Sequence, residues 1–284
     1  MMSKPNSSTP YPVNADLHCH STASDGDLSP AAVVGRAVEH GVELLAITDH
    51  DNCDGYNEAS SAADGCITLI SGIEFSSAWK GINIHILGLD FDPFLLRAAI
   101  QRQKTAREAR SLKIAERLEK KGVSNALAGA QRYATSDIVG RPHFAKHLVA
   151  EGVFETEAHA FNKWLGQGKL GDVKASWPDI QTVVADITAA GGHAVLAHPH
   201  SYKMTNRKLG RFLEEFKACG GAGMEVCASG ITPEKTDYFA SLCQHFELMG
   251  SRGSDFHTPS NQWIELGRVA SLPDNVTPIW QVFK

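Results

Sequence analysis

Short apolar runs alternate with amphipathic helical patterns along most of this chain. The first third reads NADLHCH, PAAVVGRAVEHG, VELLAITDHD, NEASSAADG, CITLISGIEF and INIHILGLD. The alternation resumes near residue 174 with DIQTVVADITAAGG, HAVLAHPH, KLGRFLEEFKACGG, GMEVCASG, TDYFASLCQHF and ELMGSRGSDFH. Strands that alternate with helices in this way predict an α/β fold with a parallel sheet or barrel.

The rhythm changes between residues 93 and 173. RAAIQRQKTAREARSLKIAERLEKKG has the pattern of a long amphipathic helix that stops at Gly122, and RPHFAKHLVAEG and TEAHAFNKWLGQG predict shorter helices. We therefore expect a flexible leader over residues 1–13, a barrel domain formed by residues 14–92 and 174–284, and a helical insertion over residues 93–173 that caps the substrate site.

Composition narrows the classes of protein. The chain has 284 residues, 43% of them hydrophobic, and a net charge of −5. This balance argues against a broad basic face for long duplex nucleic acid. No apolar run approaches the ~20 residues of a membrane span, and the N-terminus lacks the apolar core of a signal peptide. Six cysteines without a CxxC pair indicate reduced thiols and a cytoplasmic protein.

Histidines and carboxylates recur where the predicted strands end. His18 and His20 are two apart on an apolar strand, so both rings lie on the same side. The remaining members lie at later strands or in the loops that follow them: Asp25, His50, Glu74, His85, His198, Asp255 and His257. Barrel enzymes carry their chemistry at the carboxyl ends of the strands. Because six imidazoles and three carboxylates packed together are costly without cations, the pattern predicts a metal centre.

The ligand types indicate which metals to expect. Nine nitrogen and oxygen donors without a thiolate disfavour a structural zinc site and suit Mn²⁺, with Fe²⁺ and catalytic Zn²⁺ as alternatives. Since one ion rarely takes more than about six ligands, nine donors imply two to three divalent ions. Three such ions against three carboxylates leave a positive charge that suits a phosphate.

The motifs DLHCHSTASDG, ITDHD, GIEFS, VLAHP and GSDFH, with the strand around His85, resemble the polymerase and histidinol phosphatase (PHP) superfamily. The similarity is greatest to the group that contains 3′,5′-nucleoside bisphosphate phosphatases and the 5′→3′ exoribonuclease RNase AM. It implies a distorted (β/α)₇ barrel with a trinuclear site. It assigns His18, His20, Glu74 and Asp255 to one ion, Glu74, His85 and His198 to a second, and Asp25, His50 and His257 to a third.

The resemblance also implies the reaction. A hydroxide that bridges two ions attacks phosphorus and removes the 3′-phosphate of a nucleoside bisphosphate, with 5′→3′ degradation of short RNA as a further activity. Glu74, His50, His257 and Asp255 are the residues expected at the reacting centre. Asp49, next to His50, is a candidate for orienting a ligand or a water.

Four residues are candidates for holding the substrate. Arg107 and Arg110 are spaced i, i+3 on one helix face, so together they can grip one phosphate. Arg141 precedes Pro142 and His143 at a predicted helix start, where an anion also fits. The competing interpretation is a solvated face, because the long helix is rich in Lys, Arg and Glu.

Several alternative functions stay open at this point. A histidinol phosphatase or an exonuclease acting on polymer ends shares the same metal centre, whereas the arginine pair favours a substrate with an additional phosphate. An amidohydrolase would use a bridging lysine at a strand end, and this sequence has none there. A non-catalytic metal-binding module is the remaining alternative. The sequence leaves open the native metal, the oligomeric state, the acid that protonates the leaving group, and the preference for mononucleotide or oligonucleotide.

Overall fold

The computed structural model describes residues 13–136, 138–166, 168–173 and 177–284. Apart from Val13, the predicted leader lies outside these residues, as do residues 174–176 at the start of the resumed barrel. The strands are β1 (Ala15–Asp16), β2 (Leu44–Ala46), β3 (Thr68–Ile70), β4 (Gly72–Trp79), β5 (Ile82–Leu89), β6 (His193–Leu196), β7 (Gly223–Ala228) and β8 (Met249–Gly253).

The helices surround these strands or follow β5 in the chain. They are α1 (Pro30–Glu39), α2 (Tyr56–Ala63), α3 (Arg97–Glu119), α4 (Ala126–Gln131), α5 (Arg141–Ala150), α6 (Glu157–Ala160), α7 (Ile180–Ala189), α8 (Asn206–Ala218) and α9 (Pro233–His245), with a π-helical turn at Phe161–Leu165 and 3₁₀ turns at Pro199–Ser201 and Ile279–Val282. Within the described residues, none of these helices has the length and apolar character needed to cross a bilayer.

The described strands pair into two sheets, so the α/β class is confirmed. The first has the order β1-β2-β3 and is parallel, and the second has the order β4-β5-β6-β7-β8. Isolated parallel bridges between His50 and Glu74, and between Cys19 and Phe256, connect the edges of the two sheets. The carboxyl ends of β1 and β2 are thereby held against β8 and β4, which brings the strand-end residues to one place.

One part of the parallel expectation is wrong. β5 runs antiparallel to both β4 and β6, whereas the other described pairs are parallel. Only Lys80 and Gly81 separate β4 from β5, and both have positive φ, at 47° and 78°. Such a two-residue turn makes a hairpin, whereas a parallel connection needs a crossover of about a dozen residues or more. The sequence pattern of INIHILGLD identifies a strand and leaves its direction open.

Separate apolar clusters stabilise the sheets and the segment between β5 and α7. Helices α7, α8 and α9 pack on the larger sheet through residues such as Ile187, Phe212 and Phe239, and α1 and α2 pack on the smaller one through Val33 and Ala59. Between residues 93 and 173 the described residues form helices and turns without a strand. Those helices have an apolar cluster of their own, which contains Ile114, Phe144 and Leu165.

Candidate metal centre

The nine strand-end residues converge on one site. Glu74, in β4, lies at its centre with a side chain that is 1% exposed. Five imidazoles lie within 3.4 Å of its two oxygens, those of His18, His20, His50, His85 and His198. A carboxylate shared among so many nitrogens suits a ligand that bridges two cations.

The first donor group surrounds Glu74 Oε2. His18 Nε2 lies 3.4 Å and His20 Nε2 3.2 Å from that oxygen, and Asp255 Oδ1 lies 3.4 Å from both nitrogens. Ligands ~2.1 Å from one ion in a tetrahedral arrangement are about 3.4 Å apart. These separations therefore match the edges of one coordination sphere.

The second donor group lies at the other oxygen of the same carboxylate. Glu74 Oε1 is 2.7 Å from His85 Nδ1 and 2.9 Å from His198 Nε2, and the two nitrogens are 3.2 Å apart. His198 has a φ of 28°, a strained conformation for a residue with a side chain. Strain of this kind persists where the surrounding contacts fix a residue for its function.

A third donor group gathers around Asp25. Its carboxylate lies 3.5 Å from His257 Nε2, 3.7 Å from His20 Nδ1 and 3.9 Å from His50 Nε2. His20 therefore faces this group with one ring nitrogen and the Glu74 group with the other. Residues with metal-ligating side chains form three overlapping groups: His20, Asp25, His50 and His257; His18, His20 and Glu74; His50, Glu74 and His85.

Two buried atoms at the centre lack a hydrogen bond within the described part of the chain. They are His50 Nδ1 and Glu74 Oε2, and they lie 3.0 Å apart. Leaving a buried donor or acceptor unsatisfied costs about 1–3 kcal/mol. A cation bound here would satisfy both atoms, so the donor set fits divalent metal binding.

Charge within the cluster shifts the pKa of several of these groups. Burial lowers the pKa of His50, and the nearby Arg107 and His20 add to that effect. For His20, burial also opposes the charge, but close contacts with the carboxylates of Asp255 and Glu74 outweigh it and raise the pKa to about 10. For Asp25, burial favours the neutral acid, yet the surrounding histidines hold its pKa well below the usual range. The carboxylates are thus charged and available as ligands.

Further side chains hold these donors in place. Asp49 accepts hydrogen bonds from Ser21 Oγ and Ser24 Oγ at 2.6 Å, and Ser24 Oγ lies 3.4 Å from His20 Nδ1. Asp49 thus reaches a ligand through a serine, next to His20 rather than next to His50. The hydroxyl oxygen of Tyr202 accepts the backbone N–H of His85 at 2.9 Å.

An arginine-rich cleft opens beside the metal centre. It is lined by Asp25, His50, Ser76, Asn83, His85, Arg107, Arg110, Gly140, Arg141, Pro142, Phe161 and Trp177. Trp177 lies beneath two guanidinium groups, with Arg107 Cζ at 5.6 Å and Arg110 Cζ at 6.0 Å from its ring centroid. Both arginines are buried, at 8% and 7% exposure, so the solvated-face interpretation does not apply to Arg107 and Arg110.

The two arginines of the predicted pair have different partners. Arg107 Nε donates to the buried carboxylate of Asp51, and its NH2 lies 3.2 Å from Ser76 Oγ. Arg110 donates to the Val173 carbonyl at 3.4 Å, and no carboxylate of the described residues forms an ion pair with it. Burial and the repulsion from Arg141 and Arg107 lower the pKa of Arg110 to about 9. Sequence reasoning missed Asp51, because an aspartate next to a ligand motif has no distinctive spacing.

Arg141 and His143 begin helix α5. The Arg141 NH1 group donates to the Leu165 carbonyl at 3.2 Å, and burial lowers the pKa of Arg141. His143 Nδ1 accepts the Gly140 N–H at 3.0 Å, which closes the first turn of the helix. Arg141 lines the cleft, and the part of His143 in substrate binding stays a prediction.

The chain resembles known proteins over nearly all of its length. The family model described as PHP domain matches residues 16–218. A 5′-3′ exoribonuclease of Haemophilus influenzae is 46% identical, over 94% of this chain and 98% of that protein. A 3′,5′-nucleoside bisphosphate phosphatase of Chromobacterium violaceum is 36% identical, over 94% of this chain and 95% of that protein.

Solved structures have the same fold. A Chromobacterium violaceum protein described as an amidohydrolase superimposes with a TM-score of 0.88 at 36% identity, over 95% of both chains. A Bifidobacterium adolescentis protein assigned as a metal-dependent phosphoesterase has a TM-score of 0.77 at 27% identity, over 94% of this chain and 93% of that chain. The two descriptions differ in the bond that is cleaved. The phosphoesterase description agrees with the names of both sequence relatives above.

Proposed function

The chain belongs to the PHP domain family and is a metal-dependent phosphoesterase, and we propose that it removes the 3′-phosphate of 3′,5′-nucleoside bisphosphates. The observation that carries this proposal is the position of the arginines. Arg110 and Arg141 line the same cleft as the donor residues Asp25, His50 and His85. A substrate with two phosphates can place one at the metal centre and the other against the arginines.

We propose that the nine donors hold two to three divalent ions, with Mn²⁺ as the expected metal. The first site consists of His18, His20, Glu74 and Asp255, the second of Glu74, His85 and His198, and the third of Asp25, His50 and His257. The distances within each group support this division. His20 Nδ1, 3.7 Å from Asp25, also lies next to the third site, and His50 Nδ1, 3.0 Å from Glu74 Oε2, also lies next to the first.

The second phosphate is held by Arg110 and Arg141. Neither guanidinium forms an ion pair with a carboxylate of the described residues, and the repulsion of Arg110 by Arg141 is relieved when an anion binds between them. Arg107 has a different part. Its charge is neutralised by Asp51, so Arg107 stabilises the wall of the cleft beside the phosphate and does not bind the phosphate itself.

The chain's own residues position the substrate for hydrolysis. Divalent ions, when bound, supply an activated water at neutral pH and positive charge for the leaving oxygen. The arginines fix one phosphate and thereby orient the other toward the Glu74 cluster. Among the histidine donors, His257, 32% exposed at its side chain, and His85, 25% exposed, are the most accessible to a phosphate.

The exoribonuclease activity is a second candidate, and a neighbouring cleft favours it. That cleft is lined by Gly81, Ile82, Asn83, His85, Arg141, Asp172, His198, Ser201 and Tyr202. It shares Asn83, His85 and Arg141 with the arginine-rich cleft, so the two flank the metal centre. An RNA with its 5′-phosphate at Arg110 would extend past the metal centre into this second cleft.

The architecture fits the same proposal. We propose that the two sheets, linked by the bridges at His50 and Cys19, belong to a distorted (β/α)₇ barrel in which β3 and β4 count as one interrupted strand. Residues 93–173 act as the cap that carries Arg107, Arg110 and Arg141 over the barrel end. All six cysteines are unpaired, which supports a cytoplasmic location.

A substrate panel tests the proposal. Metal-depleted protein is reloaded with Mn²⁺ and assayed on adenosine 3′,5′-bisphosphate, histidinol phosphate, a short 5′-phosphorylated RNA and an N-acyl amino acid. We expect phosphate release from the bisphosphate, with the 5′-monophosphate as product, and loss of the activity in EDTA. Preference for histidinol phosphate, or cleavage of the amide alone, would contradict it.

A further inference from the structure

Glu225 is a fully buried carboxylate in an apolar strand. Strand β7 reads GMEVCA, and all six of its residues are buried. Its pairing with β8 is irregular between Glu225 and Cys227. Bulges of this kind change the direction of a side chain and are common beside active sites. Because burying a carboxylate without partners is costly, its contacts indicate why it is there.

Both oxygens of Glu225 contact residues of the metal centre. Oε1 lies 2.9 Å from His18 Nδ1, and Oε2 accepts the backbone N–H of His198. The first contact leaves His18 Nε2 facing Glu74 and Asp255. The second contact holds the backbone of His198, whose φ of 28° is strained. One carboxylate therefore fixes a ring at the first donor group and a backbone at the second.

The neighbouring strand leaves room for this arrangement. Gly253 lies in β8, and a Cβ placed on it would be 2.3 Å from His18 Cβ and 2.9 Å from Glu225 Oε1. Real Cβ atoms essentially never approach another atom that closely. The glycine thus allows the His18–Glu225 contact, although its sequence context, GSRGSDFH, gives no sign of this.

We propose that Glu225 is a positioning residue that couples two metal-binding groups by orienting His18 and holding the His198 backbone. The inference rests on the proposed function in one respect, namely that the nine-donor cluster binds divalent cations. Carboxylates that accept the distal N–H of a metal-binding histidine fix the ring and its tautomer, and their loss weakens metal binding by roughly 10- to 100-fold.

The number of acceptors makes the proposal testable with an isosteric change. Two donors need two acceptor oxygens, and glutamine offers one oxygen and one NH₂ group. In Glu225→Gln either His18 or the His198 N–H loses its acceptor, while the volume of the side chain is unchanged. Glu225→Asp keeps both acceptor oxygens on a shorter side chain. The variant can therefore accept from both His18 and the His198 N–H, but only if the His18 ring or the His198 backbone shifts.

The experiment measures Mn²⁺ binding to metal-depleted protein, by the EPR signal of free Mn²⁺, together with the thermal midpoint of the same metal-depleted samples. Val226→Ala is the matched control, because Val226 is a fully buried neighbour on β7 that packs in the apolar core. We expect roughly 10- to 100-fold weaker binding in Glu225→Gln, a smaller loss in Glu225→Asp, and wild-type affinity in Val226→Ala despite a lower midpoint.

The outcomes separate the possible roles. Wild-type Mn²⁺ affinity in the folded Gln variant, or in the Asp variant if the Gln variant does not fold, would overturn the proposal. An affinity loss of equal size in Val226→Ala would assign Glu225 to the general stability of the strand and would also overturn it. If wild-type protein itself binds no Mn²⁺, the metal centre under the proposed function fails, which is a different result from an Mn²⁺ site that is indifferent to Glu225.

Discussion

Glu74 Oε2 and His50 Nδ1 lie 3.0 Å apart in the interior, and neither atom makes a hydrogen bond within the described residues. The backbones of the same two residues form an isolated parallel bridge that connects the two sheets. The fold therefore brings these two atoms together without the geometry of a hydrogen bond between them. A shared cation is the simplest partner for a nitrogen lone pair and a carboxylate oxygen that face each other.

Glu74→Gln should abolish most activity while the protein stays folded. The change removes the charge that five imidazoles share, so both donor groups at Glu74 lose affinity for cations. We expect a loss on the order of 100-fold or more in kcat/KM, about 2.7 kcal/mol, on any phosphomonoester. Glu215→Gln is the matched control, since Glu215 is an exposed glutamate that pairs with Lys80. Near wild-type turnover in Glu74→Gln would place the chemistry elsewhere.

Metal content is the second test. Metal-depleted protein reloaded with Mn²⁺ and freed of excess ion should contain at least two ions per chain by mass spectrometry of the metal. The reason is geometric, because the nine donors fall into groups around different atoms of Glu74 and around Asp25. A single ion per chain, with the circular dichroism of the fold unchanged, is the result that contradicts this expectation.

The sequence predicted the donors because each one lies in a strand pattern or in the loop after it. One rule, that strand ends meet at the same edge of a sheet, was enough to group His18 and His20 with the residues of the later strands. The structure brings all nine together. The direction of β5 was beyond that rule, because it depends on the turn at Lys80 and Gly81. Helix α4 was also missed, since six residues are too few to show a helical period.

Long-range partners could not be predicted from sequence. Asp51 pairs with Arg107 across 56 positions, and Glu225 binds His18 across 207. Each is one carboxylate without a spacing motif, and its role depends on which residue faces it after folding. The structure places both arginines in a cleft with Asp25, His50 and His85, but the i, i+3 spacing could not show that Asp51 neutralises one of the two.

Mn²⁺ binding should release protons and strengthen with pH. In the metal-free protein, burial opposes charge on His20, but close contacts with the carboxylates of Asp255 and Glu74 raise its pKa to about 10. A cation binds the neutral imidazole, so a proton must leave His20 at any pH below that value. The affinity should therefore rise about tenfold per pH unit between pH 7 and 9 for each proton displaced.

Calorimetric titrations in two buffers of different ionisation enthalpy measure the number of protons directly. We expect at least one proton per chain at pH 7.5. Identical heats in the two buffers, with an affinity that does not vary with pH, would mean that His20 is already neutral or is not a ligand.

The last prediction separates the three arginines by substrate. Arg110→Ala and Arg141→Ala should weaken hydrolysis of 3′,5′-bisphosphates and leave a small aryl phosphate unaffected, because only the bisphosphate has a second phosphate to bind. A hydrogen-bonded charge pair contributes about 1.5–3 kcal/mol, so kcat/KM for the bisphosphate should fall roughly 10- to 150-fold. Side-by-side rates on the two substrates give the result.

Arg107→Ala should behave differently, because it leaves the buried carboxylate of Asp51 without its partner. Breaking a buried pair costs about 3–5 kcal/mol of stability, so the free energy of unfolding should fall. The kcat/KM values for both substrates should fall as well. Arg102→Ala is the matched control on the same helix, since Arg102 pairs with Asp186 at the exposed surface. If Arg110→Ala and Arg141→Ala lower kcat/KM equally for both substrates, or for neither, the second phosphate is not bound here. The histidinol phosphatase alternative, which needs no such site, would then account better for the cleft.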